Sequence, residues 1–123
     1  MTEAVIVSAV RTAIGVFGGS LKDVEVMDLG KVVIKGVLDR IGRRPIVPEE
    51  LKELRPSILR DVDKSPIEQK YMDWDENLPG LQIDEVIMGN VIQAGQGQNT
   101  GRQASIRAGI PQEVKVITIN KIC

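Results

Sequence analysis

Short apolar runs separated by polar stretches predict three strands in this chain, at residues 4–10, 83–88 and 114–120. Within the last run, residues 116–119 show no alternation of polar and apolar side chains, which predicts a strand buried on both faces. The first run is also nearly all apolar and lies between Glu3 and Arg11, so it predicts another buried strand.

A helical repeat of apolar residues follows the first predicted strand. Asp28 is the predicted cap of this helix, Ile41 is its approximate end, and Gly42 is the residue that stops it. A repeat of this kind places one apolar face of the helix against a sheet. The stripe consists of Leu29, Val33, Val37 and Ile41.

A second helix is predicted between the last two strands. Thr100 and Gln103 fit a capping box that opens a helix over residues 101–108, and Gly109 fits a left-handed residue that closes it. Strands that alternate with helices favour a sheet covered by helices. The predicted fold class is therefore α/β, with at least three strands and two flanking helices.

The composition changes in the middle segment, residues 44–80. This segment contains five of the six prolines, the only tryptophan and the only tyrosine. Ser65 and Glu68 fit a capping box that predicts a short helix. We interpret the segment as a surface excursion. The alternative is a contact surface or lid, because Tyr71 and Trp74 must bury their apolar area somewhere.

Composition narrows the classes of function. The net charge of −1 gives no overall field that would attract nucleic acid or an anionic membrane surface. The chain has no histidine, so it supplies no imidazole base and no imidazole metal ligand. Its single cysteine excludes an internal disulfide and fits a reducing compartment. We therefore expect a cytoplasmic protein that binds no nucleic acid, no membrane and no metal.

Cys123 follows the last predicted strand and is the only cysteine. Ligands and reacting groups of α/β folds gather at the carboxyl ends of strands. A thiolate in such a place attacks carbonyl carbon, whereas a lone cysteine also serves as a small buried apolar side chain. Position alone leaves both interpretations open.

A series of motifs along the chain resembles the N-terminal portion of a thiolase, the family of acetyl-CoA acetyltransferases and 3-ketoacyl-CoA thiolases. The resemblance divides the chain into residues 1–43 (strand, glycine loop and helix), a Pro-rich, charged insertion at 44–80 that takes no part in it, and residues 81–123 (strand, loop, helix and a strand ending at the nucleophile). The motifs are Val5-Ile-Val-Ser-Ala-Val-Arg-Thr12, Phe17-Gly-Gly-Ser-Leu21, Asp84-Glu-Val-Ile-Met-Gly-Asn90, Gly95-Gln-Gly-Gln-Asn99, Arg102-Gln-Ala104 and Thr118-Ile-Asn-Lys-Ile-Cys123.

The resemblance implies the N-terminal part of the layered αβαβα thiolase fold, incomplete in this chain. In the family, the cysteine of a Thr-x-Asn-x-x-Cys motif takes up the acyl group, and that position is Cys123 here. The implied activity is acetyl-CoA condensation or 3-ketoacyl-CoA thiolysis, as in fatty acid metabolism. Coenzyme A thioesters are the implied substrates, with no covalently bound cofactor and no CoA-binding residue assigned.

The resemblance also implies that other catalytic side chains lie downstream of Cys123. We therefore expect this chain alone to be inactive and to need the complementary remainder of a thiolase, in a dimer or tetramer. A polar cluster before the second helix is expected to hydrogen-bond loop backbone and, by resemblance, a neighbouring subunit. Its members are Gln96, Gln98, Asn99 and Arg102.

Two other functions remain open at this point. One is a binding or assembly module that derives from a thiolase and has no catalytic role, because fold alone does not confer function. The other is a related condensing enzyme such as a ketoacyl synthase. Those enzymes usually surround the cysteine with small residues and serine, whereas Asn120-Lys-Ile-Cys123 resembles a thiolase.

Overall fold

The computed structural model describes residues 3–122. Its strands form two parallel pairs, Arg44–Ile46 with Gly80–Gln82 and Glu85–Gly89 with Lys115–Ile119. Within the described part of the chain, no helix combines the length and apolar character needed to span a bilayer. The elements are α1 (Val26–Arg40), β1 (Arg44–Ile46), α2 (Glu49–Lys52), α3 (Ser57–Arg60), α4 (Pro66–Tyr71), β2 (Gly80–Gln82), β3 (Glu85–Gly89), α5 (Thr100–Arg107) and β4 (Lys115–Ile119).

The β3–α5–β4 unit confirms the predicted alternation of strand and helix in the last third of the chain. β3 and β4 are parallel and pair from Glu85 with Lys115 to Gly89 with Ile119. Parallel neighbours need a crossover connection, and α5 provides it. Gly109 closes α5 with a φ of 76°, as predicted, and the Ile110 N–H donates to the Ser105 carbonyl.

One face of the β3–β4 pair is exposed. Ile117 and Ile119 of β4 keep 47% and 42% of their surface accessible, and Ile87 of β3 keeps 60%. The prediction that residues 116–119 are buried on both faces is therefore wrong. The helices cover one face of the pair, and nothing in residues 3–122 covers the other.

α1 packs against α5 through a close approach at Gly30. A Cβ on Gly30 would lie 2.8 Å from the Ala104 Cβ and 2.9 Å from the Met88 Cε, so a side chain there would have to displace its neighbours. The core continues toward the end of α5 and the start of β4. Its buried members are Leu38, Ala108, Ile110 and Val114.

The ends of α1 differ in part from the prediction. The helix begins at Val26, and Asp28 lies in its first turn, where it accepts a hydrogen bond from Arg107 (Nη1–Oδ1, 2.9 Å). Asp28 as the cap is therefore wrong, because its carboxylate bonds across to α5. Gly42 does end the helix, with a φ of 61° that suits glycine.

Residues 4–10 form no strand, so that prediction is wrong as well. Val5, Ile6 and Val7 keep 71%, 91% and 72% of their surface accessible. The described hydrogen bond to this stretch is a side-chain contact, from Arg40 Nη1 to the Ala9 carbonyl at 2.7 Å. A strand needs a neighbour for its backbone hydrogen bonds, and no strand of the described chain lies beside this stretch.

The middle segment packs onto the rest of the fold. The predicted capping box is present at the start of α4, where the Ser65 N–H donates to Glu68 Oε2 at 2.8 Å. Trp74 packs against the core and donates from Nε1 to the Gly109 carbonyl at 3.0 Å. Arg55 and Glu113 form a largely buried ion pair that joins the segment to the turn before β4. The segment's tryptophan is thus partly buried against its own chain.

Candidate functional site

The candidate site lies where β3 and β4 end, beside the N-terminus of α5. Both strands run in the same direction, so their carboxyl ends meet at one edge of the pair. Residues 90–99 form a loop over this edge, and residues 120–122 leave β4 toward Cys123. Such an edge is where α/β folds place reacting groups.

Asn99 joins the loop, the helix and the strand. It has a φ of 40° and caps α5, since its Oδ1 accepts from the Arg102 N–H at 3.0 Å. The same Oδ1 accepts from the Thr118 hydroxyl at 2.7 Å, and Nδ2 donates to the Val116 carbonyl at 3.2 Å. The side chain of Asn99 therefore links the first turn of α5 to two residues of β4.

The predicted capping box of Thr100 and Gln103 is wrong. Asn99 is the cap, and Gln103 Nε2 instead donates to the carbonyls of Gln96 and Gln98 at 2.9 and 3.0 Å. Thr100 is buried, and its hydroxyl accepts from Asn90 Nδ2 at 2.9 Å. Both side chains are engaged by the loop, so neither is available to the α5 amides.

Thr118 and Gly101 make the closest contact between β4 and α5. The Gly101 N–H donates to the Thr118 hydroxyl oxygen at 2.9 Å. A Cβ on Gly101 would lie 2.9 Å from that same oxygen, so a larger residue would force the helix away from the strand. The Thr118 hydroxyl thus accepts from Gly101 and donates to Asn99.

The loop holds the chain on both sides of the end of β4. The Asn90 N–H donates to the Ile119 carbonyl at 3.0 Å, and Asn120 Nδ2 donates to the Val91 carbonyl at 2.9 Å. Asn90 Nδ2 also donates to Gln96 Oε1 at 2.7 Å, which braces the loop internally. Residues 118–120 are therefore held by hydrogen bonds at each position.

Arg102 is a structural residue in this arrangement. Its Nη1 and Nη2 donate to the carbonyls of Val114 and Gln112 at 2.8 and 2.6 Å. It ties α5 to the turn that leads into β4. For Arg102 and Asn99, this confirms the expectation that the polar cluster hydrogen-bonds local backbone. The contact of the cluster with a neighbouring subunit stays a prediction.

Cys123 lies outside the described residues. Two ionisable groups whose pKa values differ from the ordinary values, Asp73 and Arg107, lie away from the end of β4. The hydrogen bond from Lys35 lowers the pKa of Asp73, and hydrogen bonds to Glu25 and Asp28 raise the pKa of Arg107. The pKa shift of Asp73 comes from its contact with Lys35 of α1, and that of Arg107 comes from its contacts with Glu25 and Asp28 at the start of α1. Both shifts therefore arise from ion pairs that join parts of the fold and do not mark a reacting group.

A cavity of about 490 Å³ lies between β1 and the helices of the middle segment. Its charged lining is mixed, and much of it is already paired: Arg55 with Glu113, and the Glu68 carboxylate with the Ser65 N–H and hydroxyl. Residues 3–122 contain no cluster of acidic, histidine or cysteine side chains arranged to hold a metal ion. We therefore place the candidate site at the end of β4.

Comparison with known proteins agrees with the motifs. The sequence profile described as the thiolase N-terminal domain matches residues 4–70 and 74–123. The matched ranges cover most of the chain, so this chain belongs to the thiolase N-terminal domain family. The resemblance is confirmed, and the mixed helices and strands agree with part of that domain. The match includes residues 44–70 and 74–80, so the expectation that the middle segment takes no part in the resemblance is wrong. Its boundaries as a separate structural unit stay a prediction.

Curated relatives carry acyltransferase names. An acetyl-CoA acetyltransferase of Cupriavidus necator is 42% identical over 123 residues, and a probable acetyl-CoA acyltransferase of Staphylococcus aureus is 38% identical over 123 residues. The alignments cover 100% of this chain but only 22% of each relative. The chain therefore belongs to an acyltransferase family and spans about a fifth of the length of these relatives.

Sequence reasoning found the strand end but missed the residues that hold it. Thr118 entered only as a letter of a motif, and Gly101 only as the start of a helix. Asparagine is a preferred cap residue, and this preference would have indicated Asn99 if the helix had been predicted to begin at Thr100 rather than at Gly101. The contact between Thr118 and Gly101 carries no local signal, because it joins residues that are 17 positions apart.

Proposed function

We propose that this chain is the nucleophile-bearing portion of a thiolase that transfers acyl groups between CoA thioesters through Cys123. One observation carries the proposal. The family match runs through residues 74–123 and so includes the Thr118-Ile-Asn-Lys-Ile-Cys123 motif. The names of the relatives support acyl-CoA as the substrate class.

The proposed step is a thioester exchange. The thiolate sulfur of Cys123 attacks the carbonyl carbon of an acyl-CoA, and the bond from that carbon to the CoA sulfur breaks. CoA leaves as a thiolate and takes up a proton, which leaves the acyl group on Cys123. In condensation, a second acetyl-CoA loses a proton from its α-carbon, and that carbon attacks the acyl-cysteine and releases the Cys123 thiolate. Thiolysis of a 3-ketoacyl-CoA is the reverse sequence.

The described residues contribute placement to this chemistry. The loop at residues 90–99 and α5 hold the end of β4, from which the chain continues to Cys123. Orientation of a nucleophile is worth several kcal/mol of the activation barrier, on the order of 7 or more in well-aligned cases. We propose that the base and the proton donor come from the remainder of a thiolase, so that this chain alone does not turn over.

The wider setting is part of the same proposal. By resemblance, we place the reaction in fatty acid metabolism in the cytoplasm, and the enzyme in a dimer or tetramer. The support for these points is the family resemblance, and each has its own measurement. Native mass of the purified protein gives the number of chains, and fractionation of cells gives the compartment.

The decisive experiment follows the acyl group. We expect that the purified protein, together with any companion chain, takes up label from [14C]acetyl-CoA and that peptide mapping finds the label on Cys123. A thioester is cleaved by neutral hydroxylamine, which separates it from an amide or an oxygen ester. Cys123→Ala should abolish the labelling. Full labelling of the Cys123→Ala protein would overturn the proposal.

A further inference from the structure

We infer that the strand–helix link, formed by Asn99, Gly101 and Thr118, positions Cys123 for acylation. This inference rests on the proposed function of Cys123. The three residues touch no reacting atom in the described structure. They are positioning residues, which act by fixing where β4 ends relative to α5.

The hydrogen bonds of this link are more than a helix needs for capping. Capping requires only that Asn99 Oδ1 accept from the Arg102 N–H, at 3.0 Å. The link adds two hydrogen bonds to β4: Asn99 Oδ1 also accepts from the Thr118 hydroxyl at 2.7 Å, and Asn99 Nδ2 donates to the Val116 carbonyl at 3.2 Å. These additional bonds stabilise the relative placement of the helix and the strand.

Each polar atom of the link has a defined partner. The Thr118 hydroxyl donates to Asn99 and accepts from Gly101 N–H, so its rotation is fixed from both sides. Gly101 has no Cβ, and only that absence lets its amide approach the hydroxyl so closely. The α5 amides of Gly101 and Arg102 are therefore satisfied within the fold and are not free to bind an anion.

The link also lies at the right place along the chain. Thr118 is the next-to-last residue of β4, and Cys123 follows it by five positions. Beyond Thr118, Ile119 and Asn120 are each held by the loop through single hydrogen bonds. A shift of β4 at Thr118 is therefore passed on to the segment that carries the nucleophile. Misplacement of about 1 Å can cost a reaction about a hundredfold in rate.

The experiment measures acylation in the complete protein, in single turnovers with labelled acetyl-CoA. Burst amplitude reports the fraction of protein that is folded and competent, and the rate constant reports placement of the thiol. We compare Thr118→Val, which keeps the shape and loses the hydroxyl, with Thr118→Ser, which keeps the hydroxyl. Ser105→Ala is the matched control. The Ser105 hydroxyl is buried in α5, the helix of the link, and has no hydrogen-bond partner in the described structure.

We expect Thr118→Val to keep most of its burst amplitude while its acylation rate constant falls by about tenfold to a hundredfold. Thr118→Ser and Ser105→Ala should acylate at close to the wild-type rate. An unchanged rate constant in Thr118→Val, with or without a lower amplitude, would show a purely structural role and overturn the inference.

Asn99→Gly provides a second variant, since glycine suits the φ of 40° but removes both bonds to β4. It should lower the rate constant as Thr118→Val does, and it decides the matter if Thr118→Val gives no competent protein. The two levels of proposal fail differently. Labelling that survives in Cys123→Ala rejects the acyl-cysteine. Labelling that is lost in Cys123→Ala, together with an unchanged acylation rate constant in the link variants, rejects the positioning role alone.

Discussion

Residues 4–10 and β4 carry the same pattern of apolar side chains but have different structures. β4 pairs with β3 along its whole length and is tied to α5 by Thr118. Residues 4–10 have no strand beside them within residues 3–122, and Ile6 keeps 91% of its surface accessible. The pattern alone therefore does not make a strand. A neighbour that accepts and donates backbone hydrogen bonds is also needed.

The same contrast extends to the neighbourhoods of the two stretches. Glycines at positions 30 and 101 let α1, α5 and the strands approach closely, so the helix-covered side of β4 is packed. The segment that follows residues 4–10 exposes Ile14, Val16 and Phe17. Apolar side chains exposed together are typical of a surface that meets another part of a protein. Substitutions in the two regions should therefore have different effects.

The largest expected difference comes from the same substitution made in each region. Ile110 is 2% exposed in the core, so Ile110→Ala should lower the free energy of unfolding by about 2–5 kcal/mol. Ile6→Ala should change it by less than about 0.5 kcal/mol, since little surface is buried there. Urea unfolding followed by circular dichroism measures both. A large cost for Ile6→Ala would mean that residues 4–10 are buried after all and would restore the predicted strand.

Local signals predicted the elements whose causes are local. Gly42 and Gly109 end α1 and α5 with positive φ angles, and Ser65 opens α4 with a capping box. Each signal lies within a few residues of the feature that it specifies. The series of motifs from Val5 to Cys123 likewise indicated the family, which the profile match confirmed.

Features that depend on distant residues were not predictable in the same way. β1 contains Pro45, which argues against a strand, yet it pairs with β2 across the middle segment. A proline is tolerated there because β1 pairs with a single strand in the part of the chain that the structure describes.

The capping box at the start of α5 is a second example. Thr100 and Gln103 fitted such a box, but the Gln103 side-chain amide donates to the loop carbonyls of Gln96 and Gln98 instead. Which partner prevails is decided by the tertiary fold.

A smaller difference is expected between two glycines of α1. In Gly30→Ala, the new Cβ meets Ala104 and Met88 at 2.8 and 2.9 Å, which should cost about 1–3 kcal/mol of stability. In Gly36→Ala, the nearest atom is Val10 Cγ2 at 3.7 Å, an ordinary contact. Alanine favours a helix over glycine, so Gly36→Ala should stabilise by up to about 1 kcal/mol.

Thermal and urea unfolding of the two variants separate packing from helix propensity. Opposite signs would confirm that α1 is packed at Gly30 and loosely covered by the N-terminal stretch at Gly36. If both variants were stabilised, propensity would dominate at both sites, and the close approach of α1 to α5 would be contradicted.

The smallest expected effect is at the surface contact between α1 and the middle segment. Lys35 donates a hydrogen bond to the Asp73 carboxylate, and this bond lowers the pKa of Asp73 below its ordinary value of 3.8. A carboxylate with a lowered pKa in the folded state contributes stability above the unfolded pKa. That contribution is lost as the pH falls from about 3.8 through the folded pKa.

Wild type should therefore exceed Asp73→Asn in stability at neutral pH, and the difference should shrink below pH 3.8 and in high salt. The Asp73 side chain is 69% exposed, so solvent screening keeps the difference small. The Lys35 Nζ also lies 5.2 Å from the centre of the Trp74 ring, so Lys35→Met alone would remove the ion pair and the contact with the ring together. A double-mutant cycle isolates the ion pair. If the pH dependence persisted in the Lys35→Met background, the lowered pKa of Asp73 would have to come from a source other than Lys35.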